Sequence, residues 1–176
     1  GYVVQNVAHF PLAQGLPVVG GFGLNVTNCL SADGYEELGA RALTLSPELT
    51  CEDLARAGGK LPRLAIAYGH MPLMLTRACP LHNVHGCAGC ERRGELVDRK
   101  GVHFPVRCTG PAGARTVYNP VPIYMGDKPG ALPVEWELLY FTLESADRVQ
   151  QVLELFCAHR PLDGAFTRGL YFKGTQ

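Results

Sequence analysis

The 176-residue sequence predicts an α/β fold. Two patterns carry that reading. Short, almost continuously apolar runs have the character of strands buried on both faces of a parallel sheet, and amphipathic segments alternate with them. A third observation narrows it: the first 78 residues hold four such units. A closed barrel needs eight units and about 250 residues. The expected architecture is therefore a partial, half TIM-like βα barrel, into which a cysteine-rich loop and an antiparallel hairpin are inserted.

The first four strands are YVVQN (2–6), PVVGGFGLNVTN (17–28), RALTLS (41–46) and RLAIAYGH (63–70). Between them, SADGYEELGA begins at an N-cap-like Ser31. TCEDLARAGG reads as a helix with Thr50 as cap, acidic residues in its first turn and a glycine stop. Each apolar run finishes in polar residues: Gln5 and Asn6, Asn25 and Asn28, Ser46 and Glu48, Tyr68 and His70. Parallel α/β sheets bind ligands at the carboxyl ends of their strands. Asn25, Asn28, Glu48 and His70 are thus expected to share one rim facing a common pocket. Glu48 would act there as acid/base or substrate anchor, and the asparagines as donors to a polar ligand. The plainer alternative is that polar residues simply end strands, with Glu48 capping the following turn.

Past residue 94 the rhythm changes. ELVDRKGVHFPVRC and RTVYNPVPIYMGD read as an antiparallel pair joined by TGPAGA, and ELLYFTL (137–143) as a further strand. SADRVQQVLELFCAHR reads as a helix capped by Ser145, with Val149, Val152, Leu153, Phe156 and Cys157 on its core face. The expected organisation is one domain: half-barrel units over 1–78, cysteine-rich loop and hairpin over 79–127, closing strand and helix over 128–176. The chain opens on Gly1-Tyr2-Val3-Val4 without an initiator Met. An open half-barrel leaves sheet edges unpaired, so a missing N-terminal half-barrel or a second copy of the chain is expected as partner.

Sixteen basic residues balance sixteen acidic ones, which argues against duplex DNA or an anionic membrane as the main partner. No apolar run approaches the length of a membrane span. Seven cysteines, an odd number unevenly placed, do not resemble the even framework of a small secreted scaffold, so a cytoplasmic location is expected.

Four of those cysteines fall together, as Cys79-x7-Cys87-x2-Cys90-x17-Cys108. The C-x2-C step lets two thiolates of one tight turn reach one ion, and Gly86 and Gly89 supply backbone freedom for it. Four thiolates suit a tetrahedral zinc or an iron–sulfur cluster equally, and His82 or His85 could replace one of them; a set of free thiols or a disulfide are the rival readings. His103 reads as a half-exposed strand residue. Arg77, Arg92, Arg93, Arg99, Lys100 and Arg107 crowd the same segment. Arg77, Arg99 and Lys100 are candidate contacts to a negatively charged centre, to an anionic small molecule or to single-stranded RNA; a solvated basic face is the rival reading.

The blocks GLNVTN, LTLSPELT, AYGHMPLMLTRACPLHNVHGCAGC, LVDRKGVHFPV, YNPVPIYMGD and FTRGLYFKG resemble, in that order, the second half of the collagenase-like peptidases, the unassigned-mechanism family numbered thirty-two. The resemblance covers nearly the whole chain. It implies a barrel-like α/β domain with Cys79, Cys87, Cys90 and Cys108 as ligands of a metal centre, and it places Glu48 on the acidic position of a strand-end S-x-E-L motif. Several branches of that family are linked to oxygen-independent hydroxylation of RNA bases or of a quinone precursor through an iron–sulfur centre. On that basis a [4Fe-4S] cluster is expected in the cell, with zinc as alternative occupant. The peptidase label itself finds no G-x-S-x-G elbow and no H-E-x-x-H in these residues. A metal-dependent or cysteine-type hydrolase is the second expectation.

Overall fold

The computed structural model describes residues 1–57, 59–82, 87–88, 90–109 and 113–173. Five parallel strands form a curled half-barrel sheet: β1 (Tyr2–Val4), β2 (Val18–Gly20), β3 (Ala40–Thr44), β4 (Arg63–Gly69) and β10 (Trp136–Tyr140), side by side in that order. The connections differ. A 3-10 helix, Val7–Ala13, joins β1 to β2, while α1 (Cys29–Glu37) and α2 (Cys51–Ala57) make the next two crossovers. The fourth crossover, from β4 to β10, is the whole antiparallel insert. After β10 the chain enters α3 (Ala146–Cys157).

Local chemistry sets these helices. Thr50 accepts the Asp53 amide at 3.1 Å and donates to the Asp53 carboxylate at 2.6 Å, a reciprocal cap that starts α2 where the sequence places it. Ser145 caps α3 by accepting the Arg148 amide. The α1 cap corrects the sequence reading: Asn28, not Ser31, is the N-cap, its Oδ1 accepting the Ser31 amide at 2.9 Å. Ser31 occupies the third helical position and returns its hydroxyl to the Asn28 carbonyl. On α3 the buried stripe is Val152 and Leu155 with Phe156 packed beside them. Cys157, expected in the core, is exposed, because the stripe centres on Val152 and Cys157 lies five positions round from it.

The core joins strand residues such as Val18, Leu43, Ala65 and Ile66 to Phe10 of the 3-10 helix, Ala32 of α1 and Leu54 of α2. The C-terminal segment seals it. Tyr171 is buried there and donates its hydroxyl to the Ile66 carbonyl at 2.7 Å, while its own carbonyl accepts the Cys51 amide. Arg168 holds Asp127 through two nitrogens and also donates to the Tyr124 carbonyl.

The insert is a separate four-stranded antiparallel sheet, ordered β5 (Pro72–Thr76), β8 (Arg115–Tyr118), β7 (His103–Cys108) and β6 (Arg93–Val97). The sequence reading expects one strand across ELVDRKGVHFPVRC; the structure folds it into two. Asp98 Oδ1 accepts the amides of Lys100 and Val102, and Gly101 takes a positive φ of 76°, so DRKG is a tight turn. PLMLT, read within the half-barrel portion, pairs with β8 instead. A short β9 (Ile123–Tyr124) then returns to run antiparallel to the carboxyl end of β4.

Among the described residues β1 pairs only with β2, and β10 only with β4, so the parallel sheet is open on both sides. A half-barrel of this shape is compatible with a missing partner half. No helix among the described residues is long and apolar enough to cross a membrane.

One ion pair ties the amino end of β4 to the segment before β10: Arg63 meets Glu135 at 2.8 Å. The Arg63 side chain and amide hold the Glu135 carboxyl down to about 2, from an ordinary 4.5. Its contribution is therefore complete above pH 4.5 and lost as pH falls towards 2. Glu135 is 46% exposed, so screening keeps the effect under about 1 kcal/mol. Urea unfolding of Glu135→Gln at neutral pH should show a loss within that bound, and the variant's difference from the parent should vanish below the lower limit.

Candidate functional site

Two clusters of chemically active side chains lie on opposite faces of the antiparallel sheet. Strand alternation separates them. One face carries Leu81, Val106 and Val117, with Cys79, Leu96 and Phe104 packed against them. The other turns charged residues of β6 and β7 towards the carboxyl ends of β4 and β10.

The cysteine-bearing segments meet at one end of this sheet. Cys79 follows the end of β5, Cys90 precedes β6, and Cys108 closes β7. Cys108 donates its amide to the Arg92 carbonyl at 2.9 Å. Arg115, at the start of β8, holds the carbonyls of Arg77 and Gly113. The Cys87–Cys90 step is a turn in which the Cys90 amide approaches the Cys87 carbonyl at 3.4 Å, and Cys90 Sγ accepts the Arg92 amide at 3.3 Å. Arg92 adopts a left-handed φ of 60° to do so.

The segments bearing the cysteines come to one end of the sheet, while the thiols as placed form no metal cradle among the described residues. Among the described residues no three His, Cys, Asp or Glu side chains gather as a metal ion requires, and no disulfide is formed. His82 is exposed at this end, and His85 lies outside the described residues. His103 is an exposed strand residue whose Nδ1 sits 2.7 Å from Glu95, as expected of it.

Of the basic candidates, Arg77 is exposed at the cysteine end. Arg99 and Lys100 are not there. They occupy the β6–β7 turn, five residues of strand away from Arg93, which is about 16 Å. They cannot compensate charge at the cysteines. Arg93 and Arg107 neighbour Cys90 and Cys108 along the chain, but their side chains line the cavity with His70 on the other face of the sheet.

The second cluster is built around His70. Gly69, the last residue of β4, has a φ of 147°, and a Cβ there would collide with the Tyr140 carbonyl of β10. That close approach delivers His70 at the carboxyl end of the sheet. Its Nδ1 lies 2.7 Å from the Asn119 carbonyl; a carbonyl only accepts, so Nδ1 carries the proton and Nε2 is left with the lone pair. Nε2 stands 3.8 Å from Glu144 Oε1.

Glu144 is only 3% exposed and fully engaged. Its Oε2 accepts the amides of Thr142 and Leu143 at 2.7 and 2.9 Å, and its Oε1 accepts the Tyr68 hydroxyl at 2.9 Å. Burial alone would raise this carboxyl; the amide and hydroxyl hydrogen bonds outweigh it and hold it below the ordinary value. Burial, then the Glu144 contact, pushes the Tyr68 phenol well up.

Two cavities flank His70. The larger, about 570 Å³, lies between the sheets, with Arg93, Glu95, Arg107 and Leu143 among its walls. The smaller, about 290 Å³, is lined by Tyr68, Glu144, Ser145 and Arg148. Asn25, Asn28 and Glu48 line neither. All three follow the carboxyl ends of β2 and β3, so the backbone keeps them on the same rim as His70. Their observed tasks are local: Asn25 takes a left-handed turn at φ 51°, Asn28 caps α1, and the Glu48 amide approaches the Ser46 hydroxyl at 3.4 Å. Glu144 is the residue the sequence reading missed; Tyr68 is named there with His70 as ending a strand. A carboxylate directly after the apolar run LLYFTL is the same strand-end signal that singles out Glu48.

Comparison with protein-family models, with curated proteins and with solved structures finds no match to this chain.

Proposed function

We propose that this chain is half of a TIM-like βα-barrel enzyme in which Cys79, Cys87, Cys90 and Cys108 hold a metal centre, a [4Fe-4S] cluster in the cell with zinc as alternative occupant. The reaction is oxygen-independent hydroxylation of an RNA base or a small aromatic molecule, the activity implied by the resemblance to collagenase-like peptidases. One observation carries the reading: β5, β6 and β7 bring the segments bearing all four cysteines to one end of one sheet. A bound cluster would supply electron transfer. The chain's own residues would hold the centre through the four cysteine sulfurs and seat the substrate at the carboxyl ends of β4 and β10.

The hydrolase alternative gains nothing from the geometry. Ser145, the hydroxyl beside His70 in the smaller cavity, is committed to capping α3. No cleavage of collagen is expected from the protein.

Cys90→Ser should lose most of the metal and loosen residues 77–110, while Cys157→Ser should do neither. Metal and acid-labile sulfide, measured after anaerobic purification, check this. Full metal content in Cys90→Ser, or a disulfide between any two of the four cysteines, would overturn the reading.

A further inference from the structure

The His70 cluster supports a function of its own, independent of the cysteines. We propose that His70 and Glu144 form a proton-transfer pair serving the larger cavity, and that the cavity takes a small, partly apolar molecule bearing an ionisable O–H or N–H. Three features of the geometry argue for it. The Asn119 carbonyl fixes the tautomer, so only Nε2 is available to accept a proton. The ionised Glu144 has no proton to give Nε2, so the lone pair stays free, and at 3.8 Å the carboxylate is close enough to stabilise an imidazolium. Finally, His70 is a wall of both cavities, whereas Glu144 reaches only the smaller one. Glu144 is therefore a positioning residue and His70 the catalytic one.

The other charges around His70 leave a specific role open. From β6, Arg93 pairs with Glu91 at 2.5 Å, and Glu95 pairs with His103 of β7. From α3, Arg148 is held by Gln151 and the Asp163 carbonyl. From β4, the Tyr68 hydroxyl is given to Glu144. Arg107 of β7 donates to the Leu143 carbonyl at 3.1 Å, is engaged by no carboxylate in an ion pair among the described residues, and forms part of the cavity wall with His70. In the step, the O–H or N–H bond of the ligand breaks and the proton passes to Nε2. The imidazolium rests beside Glu144 and the ligand anion beside Arg107, so net charge is unchanged and no electrons are exchanged. Pro105 and Leu143 supply the apolar wall.

The probe is 4-nitrophenol, an O–H acid whose anion absorbs visible light, titrated into the whole chain at a pH below its own ionisation. Saturable binding with the phenolate band is expected. Arg107→Met should weaken binding about tenfold, and His70→Gln should cut the bound phenolate fraction about tenfold, one pH unit of driving force. Glu144→Gln should still bind the probe but lose much of the band, and ¹⁵N spectra of the complex should show His70 Nε2 protonated in the parent and not in this variant. His70 sits outside any strand and is partly exposed, so His70→Gln decides the proton acceptor whatever Glu144→Gln does to the fold. A phenolate band equal in parent and His70→Gln, or no saturable binding, overturns the proposal.

Discussion

Replacing Tyr171 by alanine should cost about 3–5 kcal/mol, enough to unfold much of the population of an ordinary domain. The ring belongs to the main core, with almost no exposed surface, and its hydroxyl reaches the Ile66 carbonyl in the central strand β4. Burial pushes the phenol well above its ordinary value, so the group stays neutral and donates throughout the physiological range. Its backbone also anchors the first residue of α2 through the Cys51 amide. Alanine therefore removes the ring and releases the tail that covers β4. Tyr171→Phe separates these effects: it keeps the packing, loses one hydrogen bond and should cost about 1 kcal/mol. Urea unfolding of the two variants against the parent gives both numbers. An alanine variant within 1 kcal/mol of the parent would mean that the C-terminal segment does not contribute to the core as described.

The parallel half of this architecture was legible because its signals are local. Apolar runs such as RLAIAYG are strands wherever they are buried on both faces, and Thr50 and Ser145 start helices through bonds to residues three positions on. The insert was harder to read because its register is non-local. Nothing within PLMLT says that its partner is RTVY, some forty residues later, and only the Asp98 and Gly101 turn chemistry hints that the hairpin folds inside ELVDRKGVHFPVRC. That folding decided the fate of the basic patch. Residues adjacent in sequence, Asp98 to Gly101, are sent to the far end of the sheet from Cys108. The candidate site was half legible for the same reason. His70 announces itself as a polar residue ending a strand, but the residue facing it comes from the segment just after the next parallel strand, seventy-four positions on, across the entire insert. Cys157 was misplaced by one step of helical phase, which apolar periodicity alone resolves poorly when Leu153 and Leu155 compete to define the stripe.

Glu144 is the residue on which both stability and chemistry converge, and its removal should be felt in both. Alanine there leaves the Tyr68 hydroxyl and the amides of Thr142 and Leu143 without their acceptor in a partly buried setting. Summed as donors stranded away from full solvation, this should cost about 3 kcal/mol. Glutamine keeps an oxygen for the two amides and should cost about 1 kcal/mol. The charge adds a pH signature whose sign is fixed. Because the folded carboxyl is held below its ordinary 4.5, the stabilisation is complete above that pH and is lost as pH falls through the lower folded value. Asp127, held down by Arg168, and Glu135 titrate in the same sense, so the parent should lose stability on acidification through all three. Glu144→Gln removes one of the three and should shallow the slope of unfolding free energy below pH 4.5, measured by urea titration at a series of pH values. A slope identical to the parent's would mean that the carboxylate is not held ionised by its donors, and the His70 pair would then lack the fixed negative charge on which it depends.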